Sequence, residues 1–291
     1  MNFALVTYEP ITLYTAAHVE DEDALLADFL RAKGHAVTFE IWTDAAVDWR
    51  RYDAVVLKSP WDYFDRVQEF YAWLDKLRHL GVQLLNPVEV VRWNSDKKYL
   101  LDLERAGVRI VPTRWLERGT SFEPDTLFNT FQTEQLIVKP AVSGGSKNTF
   151  AFNPEEAADQ AAHITALLAA EDFLAQPFLP EIQSEGEWSF IYLGGRYSHC
   201  VLKTPKSGDF RVQHYLGGGI EPQEAPESLR RVADDIVARF ALGCLYARVD
   251  GVQAGGEFFL MELELIEPFL YLDSAKGALE RYEAGLLELV S

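Results

Sequence analysis

Apolar and polar positions alternate along the first third of the chain so that strands and helices are predicted in turn. Short apolar runs predict strands, and apolar residues that recur every three or four positions predict helices. The predicted strands are 3–7, 36–41, 54–57 and 82–85, and the predicted helices are 22–33 and 70–80. Such alternation indicates a parallel open sheet, in which ligands bind beyond the carboxyl ends of the strands.

Beyond Asn94 the pattern changes, because consecutive strands and a Gly/Ser loop interrupt the alternation. We predict helices at 96–106, 154–170 and 226–240, and strands at 136–140, 148–152, 173–178, 188–193, 197–203 and 246–252. Gly255 and Gly256 then mark a hairpin turn before the strongly β-prone run 258–268. The predicted class is therefore α/β (α+β), with a parallel sheet followed by mixed sheets.

Two acidic residues in this last run provide the first chemical indication. Glu262 and Glu264 stand two positions apart, so their side chains project from one face of a strand. Upstream, Arg248 and Asp250 alternate in the same way. Whether Asp250 shares the face of the glutamates depends on an odd or even number of turn residues, which the sequence leaves open. Three clustered carboxylates would favour Mg²⁺ or Mn²⁺; the alternative is the solvated face of an edge hairpin.

A lysine at the end of an apolar strand provides the second chemical indication. Lys139 ends the run LIVKP and precedes a Gly/Ser loop, 143–146, whose N–H groups could hold phosphate oxygens. The segment lacks the spacing of a Walker A motif, and an ordinary surface turn is the alternative.

The segment 203–219 provides the third chemical indication. It concentrates Lys203, Lys206 and Arg211 before three glycines; a mobile surface loop would also explain it.

Composition limits the class of partner. The formal net charge of −18 and the lack of a basic run argue against a nucleic-acid partner. No apolar stretch approaches a membrane span and the first residues lack a signal peptide, so we expect a cytoplasmic protein without a membrane partner. Cys200 and Cys244 are expected to be buried in a reducing compartment. The first strand ends without G-x-G-x-x-G, which argues against an ordinary dinucleotide-binding fold.

The order of these motifs resembles the ATP-grasp superfamily. A lysine after Asn-Ser-Asp is followed by strand-Lys-Pro with its Gly/Ser loop, Gln-Pro-Phe-Leu, a basic segment ending in Gly-Gly, and then Asp and Glu-x-Glu. The chain is most similar to the prokaryotic glutathione synthetases and to the ATP-grasp enzymes that close the cycloserine ring. The resemblance implies an N-terminal Rossmann-like domain at 1–96, a central lid subdomain at 97–180 and a C-terminal catalytic subdomain at 181–291.

The resemblance also implies a role for each matched residue. Nucleotide binding falls to Lys97 and Lys139 at the phosphates, Ser143, Gly144, Gly145 and Ser146 in the lid, Gln176, Pro177, Phe178 and Leu179 along the adenine, and Glu187 at the ribose. Lys203, Arg211 and Arg248 are the implied catalytic cations, and Asp250, Glu262 and Glu264 are the implied ligands of two Mg²⁺ ions, with Mn²⁺ as an alternative. Glu264 departs from the family, because Asn is more common there.

The resemblance implies an ATP-dependent ligase that joins a carboxylate to an amine, within one molecule or between two, through an acyl phosphate. Trp61, Asp62, Tyr63 and Gly218 are the candidate substrate residues, with an exposed loop holding one buried tryptophan as the alternative for 61–63. His199 is expected in a core or surface role. The rival functions are a small-molecule kinase on the same fold and a nucleotide-binding module without turnover. A homo-oligomer is possible.

Overall fold

The N-terminal part of the chain forms a parallel sheet with helices on its faces. The computed structural model describes residues 1–9, 22–205 and 218–291. The sheet has the order β2-β1-β3-β4, and each of its pairs is parallel, as predicted. Its elements are β1 (Asn2–Thr7), α1 (Glu22–Ala32), β2 (Ala36–Ile41), β3 (Ala54–Ser59), α2 (Val67–His79), β4 (Leu84–Leu85) and α3 (Val88–Asn94).

The central part forms a second sheet with the order β5-β8-β6-β7, in which all pairs are antiparallel. Its helices cover one apolar cluster that includes Leu136, Val138 and Phe173. The predicted helix 154–170 begins later, because Asn153 accepts hydrogen bonds from the amides of two following residues and forms a turn. The elements are α4 (Tyr99–Arg105), β5 (Arg114–Leu116), α5 (Pro124–Phe131), β6 (Leu136–Pro140), β7 (Phe150–Phe152), α6 (Ala157–Leu168) and β8 (Phe173–Pro177).

The C-terminal part forms the third sheet, with the order β11-β10-β9-β12-β13 and antiparallel pairs throughout. One face packs on α8 and α4, and the other contributes to the core beneath the N-terminal sheet. The elements are α7 (Glu181–Ser184), β9 (Glu187–Leu193), β10 (Arg196–Thr204), β11 (Gly219–Gln223), α8 (Glu227–Phe240), β12 (Tyr246–Ala254), β13 (Glu257–Glu264) and α9 (Ala278–Val290).

Two features join the first and third sheets. The last helix, α9, returns to the N-terminal part and buries Tyr282 and Leu286 in the core that contains Phe3 and Leu5. Asn86, which is buried after β4, donates to the carbonyl groups of Tyr246 and Leu265 at 2.9 and 2.8 Å. Tyr246 also donates its hydroxyl to the carbonyl group of Leu57 at 2.8 Å, so the carboxyl ends of β3 and β4 both meet the first residue of β12. The predicted class is confirmed, whereas the boundaries at 96 and 180 stay predictions.

Candidate active site

The register of the β12–β13 hairpin places the acidic residues on one face. The chain turns at Gly255 and Gly256, which both have positive φ, and a bulge follows, because Gly251 pairs with Leu260 while Asp250 pairs with Glu262. Met261 is the extra residue. In a regular pairing without the bulge, Asp250 would lie opposite Met261, and the two glutamates would lie on the other face from Asp250. The register left open by the sequence is thereby settled: Asp250, Glu262 and Glu264 share a face.

Arg248 lies at the centre of this face. Its guanidinium donates to Asp250 through Nε and Nη2, at 2.9 and 2.8 Å to Oδ2, and it also donates to Glu264. The side chain of Asp250 is only 2 % exposed. Burial alone would raise the pKa of Asp250, but Arg248 and Lys203 lower it to about 2. Asp250 is therefore a fixed anion within the sheet.

The two glutamates are more accessible, and their environments differ. The Glu262 side chain is 34 % exposed and lies 3.5 Å from the Lys97 ammonium. Burial opposes ionisation of Glu262, yet Lys97 and Lys139 lower its pKa. The Glu264 side chain is 26 % exposed. Burial, with the charges of Asp250 and Glu262, raises the pKa of Glu264 to about 7 even though Arg248 opposes this shift.

The predicted phosphate lysines meet at this face. Lys97 donates to the carbonyl oxygen of Ser143 at 2.8 Å, which ties it to the start of the Gly/Ser loop. Lys139 projects from β6, and burial lowers its pKa, with Glu262 opposing and Lys97 reinforcing the shift. A lysine with a partly desolvated ammonium needs an anion as its partner. Lys97 and Lys139 are thus brought together beside Glu262, as phosphate-binding groups would be.

Lys203 and Glu187 form a second ion pair beside Asp250. They are direct partners in the β9–β10 register, and the Lys203 ammonium also lies 3.4 Å from Asp250. Burial would lower the pKa of Lys203, but Asp250 and Glu187 raise it. Glu187 therefore contacts Lys203, one of the predicted catalytic cations, while its implied contact with a ribose stays a prediction. Ser189, which the sequence analysis did not single out, donates its hydroxyl to Asp250.

The predicted adenine and lid segments follow strands of the central sheet. Gln176 is buried and donates to Thr113 at 3.0 Å, and the Phe178 amide donates to the carbonyl of Gln135 at 2.9 Å. Pro177 and Leu179 continue this segment into α7. The loop 143–146 contains Gly144, where an added Cβ would lie 2.6 Å from the Phe64 ring. The predicted lid therefore packs directly on Phe64, the residue that follows the predicted substrate segment 61–63.

The predicted substrate segment, residues 61–63, is more buried than an exposed surface loop would be. Asp62 and Tyr63 are buried, Asp62 accepts a hydrogen bond from the Trp42 indole at 2.7 Å, and Trp61 is half-buried with its ring 5.8 Å from Tyr8. An exposed loop with one buried tryptophan is therefore wrong. Burial raises the pKa of Tyr63 well above its ordinary value, and the nearby carboxylate of Glu267 reinforces this shift. Tyr63 thus faces the acidic side of the site.

Other predictions fall outside the site or outside the described residues. Gly218 is buried beside β11, whereas Arg211 and Lys206 lie outside the described residues. His199 is buried, donates to the Leu270 carbonyl at 2.9 Å and accepts from Ser198, as a core residue would. Cys200 and Cys244 are buried and free, as expected. Among the described residues, every helix is too short or too polar to span a lipid bilayer.

The site fits a divalent cation by its donors rather than by a preformed cage. The described residues contain no group of three His, Cys, Asp or Glu side chains arranged to hold a metal. Arg248 instead pairs with both Asp250 and Glu264, and the Lys97 ammonium lies 3.5 Å from Glu262. The donors are oxygen atoms only, which suits Mg²⁺. Glu262 and Glu264 present accessible carboxylates, so these two would hold the ion, with the enclosed Asp250 beside them.

The comparisons with known proteins cover nearly the whole chain. Residues 3–86 match the model of the N-terminal domain of the D-cycloserine synthetase DcsG, and residues 124–257 match the ATP-grasp domain of prokaryotic glutathione synthetase. The cycloserine biosynthesis protein DcsG of Streptomyces lavendulae is 30 % identical over 266 residues, which are 87 % of this chain and 89 % of that protein.

Solved structures agree with this relationship. The crystal structure of D-cycloserine synthetase DcsG superimposes with a TM-score of 0.87 at 28 % identity, covering 100 % of both chains. The D-alanine–D-alanine ligase from Bacillus anthracis shares the fold, with a TM-score of 0.71 at 15 % identity over 100 % of this chain and 96 % of that one. ATP-grasp enzymes use ATP together with a divalent metal ion. This chain therefore belongs to the family of the D-cycloserine synthetase DcsG and is an ATP-grasp ligase that forms C–N bonds with the use of ATP.

Proposed function

We propose that this ligase activates the carboxylate of a small amino-acid-like substrate as an acyl phosphate and joins it to an amine of the same molecule, closing a ring. The observation that carries the proposal is the convergence of Lys97 and Lys139 with Arg248 and Lys203 on one carboxylate-bearing face. Similarity to a D-cycloserine synthetase along nearly all of both chains favours ring closure over joining two molecules.

The nucleotide would lie between the central and C-terminal sheets. Lys97 and Lys139 bind its phosphates, and the lid residues 143–146 cover them with their amides. The adenine lies along Gln176, Pro177, Phe178 and Leu179, and Glu187 serves the ribose. Glu262 and Glu264, with Asp250, would hold two Mg²⁺ ions or Mn²⁺ in their place. Such ions supply neutralisation of the charge on the transferred phosphoryl group.

The chemistry proceeds in two balanced steps. An oxygen of the substrate carboxylate attacks the γ-phosphorus, the bond to the bridging oxygen breaks, and ADP leaves with that electron pair. The amine then attacks the acyl carbon, and phosphate leaves with the electrons of the C–O bond and takes up the proton that the amine loses. Lys203 and Arg248 stabilise the negative charge of both steps, because their cationic groups are already fixed by neighbouring carboxylates. Arg211, outside the described residues, is proposed to join them.

Substrate would enter beside Tyr63, between the lid and the N-terminal sheet. The contact of Phe64 with Gly144 closes this side of the site, which excludes water from the acyl phosphate. Trp61, Asp62 and Gly218 complete the proposed pocket. We propose a cytoplasmic location, because ATP is supplied there.

The test is ADP release by the full chain with Mg²⁺, measured across amino acids that carry a carboxylate and a second amine. A ring-closing ligase gives one equivalent of ADP and phosphate for each cyclic product, and added hydroxylamine diverts the acyl phosphate to a hydroxamate. Release of ADP with a stable phosphorylated product and no hydroxamate would identify a kinase. Binding of Mg²⁺ and nucleotide without turnover across the panel would identify a binding module.

A further inference from the structure

A buried carboxylate of the N-terminal part accepts hydrogen bonds from the backbone of the C-terminal part. Glu22, the first residue of α1, accepts hydrogen bonds from the amide of Leu270 at 3.0 and 3.1 Å and from that of Leu272 at 3.1 Å. The residue between these amides, Tyr271, has φ of 53°, a conformation that non-glycine residues rarely adopt. The amides of both residues that flank the strained residue therefore donate to one carboxylate. We call residues 269–272 the strap.

The other side of the strap contacts the active site. Arg248, which binds Asp250 and Glu264, also donates through Nη1 to the carbonyl oxygen of Phe269 at 3.0 Å. The Tyr271 ring lies with its centroid 6.0 Å from the Arg248 guanidinium. The strap thus supplies one acceptor and one aromatic face to Arg248. A displacement of the strap would leave the guanidinium with fewer fixed partners and a wider range of orientations.

Because of Lys58, the residue at position 22 must be a carboxylate to bind the strap. The Lys58 ammonium, buried at the carboxyl end of β3, lies 3.1 Å from Glu22 and 3.5 Å from Asp23. Burial alone would lower the pKa of Lys58, but these two carboxylates raise it. Glu22 thus offers two acceptor oxygens to three donors. A glutamine would present one oxygen and an N–H₂ group that meets the same donors.

We infer that Glu22 is a positioning residue of the ligase: by fixing the strap it orients Arg248 and Tyr271 on the side of the site that handles the transferred phosphoryl group. The inference rests on the proposed placement of that group beside Arg248. It also explains the location of Glu22 at the carboxyl ends of parallel strands, where open sheets bind their ligands. Here the sheet end binds a backbone segment of the active site instead of a ligand.

The test replaces Glu22→Gln in the full chain and compares two nucleotides in the presence of Mg²⁺. The affinity for ADP measures the nucleotide contacts that do not involve the γ-phosphate. The affinity for the β,γ-imido analogue of ATP includes, in addition, the contacts of the γ-phosphate. We expect the affinity for ADP to stay within about twofold, while the affinity for the imido analogue falls about tenfold or more. A general loss of structure would weaken both nucleotides alike. The ratio of the two affinities therefore separates positioning from a structural role.

Hydrogen exchange of the Leu270 and Leu272 amides provides the second measurement. Glu22→Gln should accelerate their exchange at least tenfold. The matched control is Asp23→Asn, because Asp23 contacts Lys58 and accepts a hydrogen bond from Ser59 rather than from the strap; it should change neither the exchange nor the affinity ratio. If the single variant does not fold, Glu22→Gln combined with Lys58→Met, which removes the ammonium left without its partner, undergoes the same measurements.

The outcomes decide between the alternatives. Accelerated exchange with a lowered affinity ratio supports the inference. Unchanged exchange, an unchanged ratio, or an equal effect of Asp23→Asn overturns it. A wild-type chain that binds neither nucleotide contradicts the proposed nucleotide site and, with it, the positioning role. A wild-type chain that binds both nucleotides but converts no carboxylic-acid substrate contradicts only the proposed reaction. In that case the ratio of the two nucleotide affinities still decides the role of Glu22.

Discussion

Asp250 lies directly opposite Glu262, and Arg248 directly opposite Glu264, in the β12–β13 pair. This relationship makes Glu262 the accessible carboxylate next to an enclosed one, within reach of Lys97. Glu262→Gln keeps the size of the side chain but removes the charge that a divalent ion needs. We expect kcat for Mg²⁺-dependent ADP release to fall about 100-fold. Glu257→Gln, on the same strand but exposed, is the control and should retain full turnover. Equal turnover of both variants would contradict the proposed metal site.

Much of this architecture is predictable from local patterns. The strands of the N-terminal sheet are short, mainly apolar runs between turns, and Ala36–Ile41 has the predicted bounds. The predicted phosphate lysines and the alternating carboxylates are also recognisable from the sequence, because each belongs to a short motif. The last helix was not predicted, although Tyr282 and Leu286 stand one helical turn apart in it.

The remaining features depend on contacts between distant parts of the chain. The bulge at Met261 is a single extra residue, and strand alternation cannot reveal it. Glu22 binds a segment 248 positions away, and Asn86 one 160 positions away. One indication was present: Lys58 continues an otherwise apolar strand, and a buried lysine requires a buried anion. The sequence alone could not identify that anion as Glu22.

The bulged hairpin requires a glycine opposite its distortion. A Cβ added at Gly251 would lie 2.2 Å from the Phe258 ring and 2.6 Å from the carbonyl oxygen of Phe259. Because a backbone atom cannot move aside cheaply, we expect Gly251→Ala to lower the free energy of unfolding by about 2 kcal/mol. Urea denaturation measures the change. Gln253→Ala, two residues further along the strand, should cost less than about 0.5 kcal/mol; a similar loss at both positions would refute the steric explanation.

The contact between Gly144 and Phe64 joins the lid to the proposed substrate segment. Gly144→Ala would bring a methyl group to 2.6 Å from the Phe64 ring, so the ring or the predicted lid must shift. We expect the affinity for Mg²⁺-ADP to fall about three- to tenfold. Removing the obstructing ring with Phe64→Ala in the same chain should restore most of this loss. If the double variant binds no better than Gly144→Ala, the lid does not depend on this contact.

The stability of the chain should depend on pH through His199. Burial lowers the pKa of His199 in the folded chain, so in acid the unfolded chain binds a proton that the folded chain does not. Stability is thus fully present above the unfolded pKa of about 6.5 and falls below it, by at most about 1.4 kcal/mol per pH unit. Denaturation midpoints between pH 8 and pH 5 measure this slope. His199→Gln should flatten it, while His163→Gln, at an exposed position, should not.

We expect Asn86 to contribute more to the free energy of unfolding than a single asparagine side chain usually does. Its amide group donates to Tyr246 and Leu265, and its oxygen accepts from the amides of Leu245, at 2.7 Å, and Tyr246, at 3.3 Å. Asn86→Ala leaves these backbone groups buried without partners, each at a cost of about 1 kcal/mol or more, so we expect a loss of about 3 kcal/mol in the free energy of unfolding. Urea denaturation of the full chain measures it.

The exposed Asn129, on α5, provides the matched control, and Asn129→Ala should change the free energy of unfolding by less than about 0.5 kcal/mol. Because Asn86 links the end of the N-terminal sheet to both β12 and the residue after β13, its loss also loosens the base of the strand that carries Arg248 and Asp250. ADP release should therefore decline at temperatures below the unfolding transition. Activity that persists up to that transition would show that Asn86 supports the fold without positioning the site.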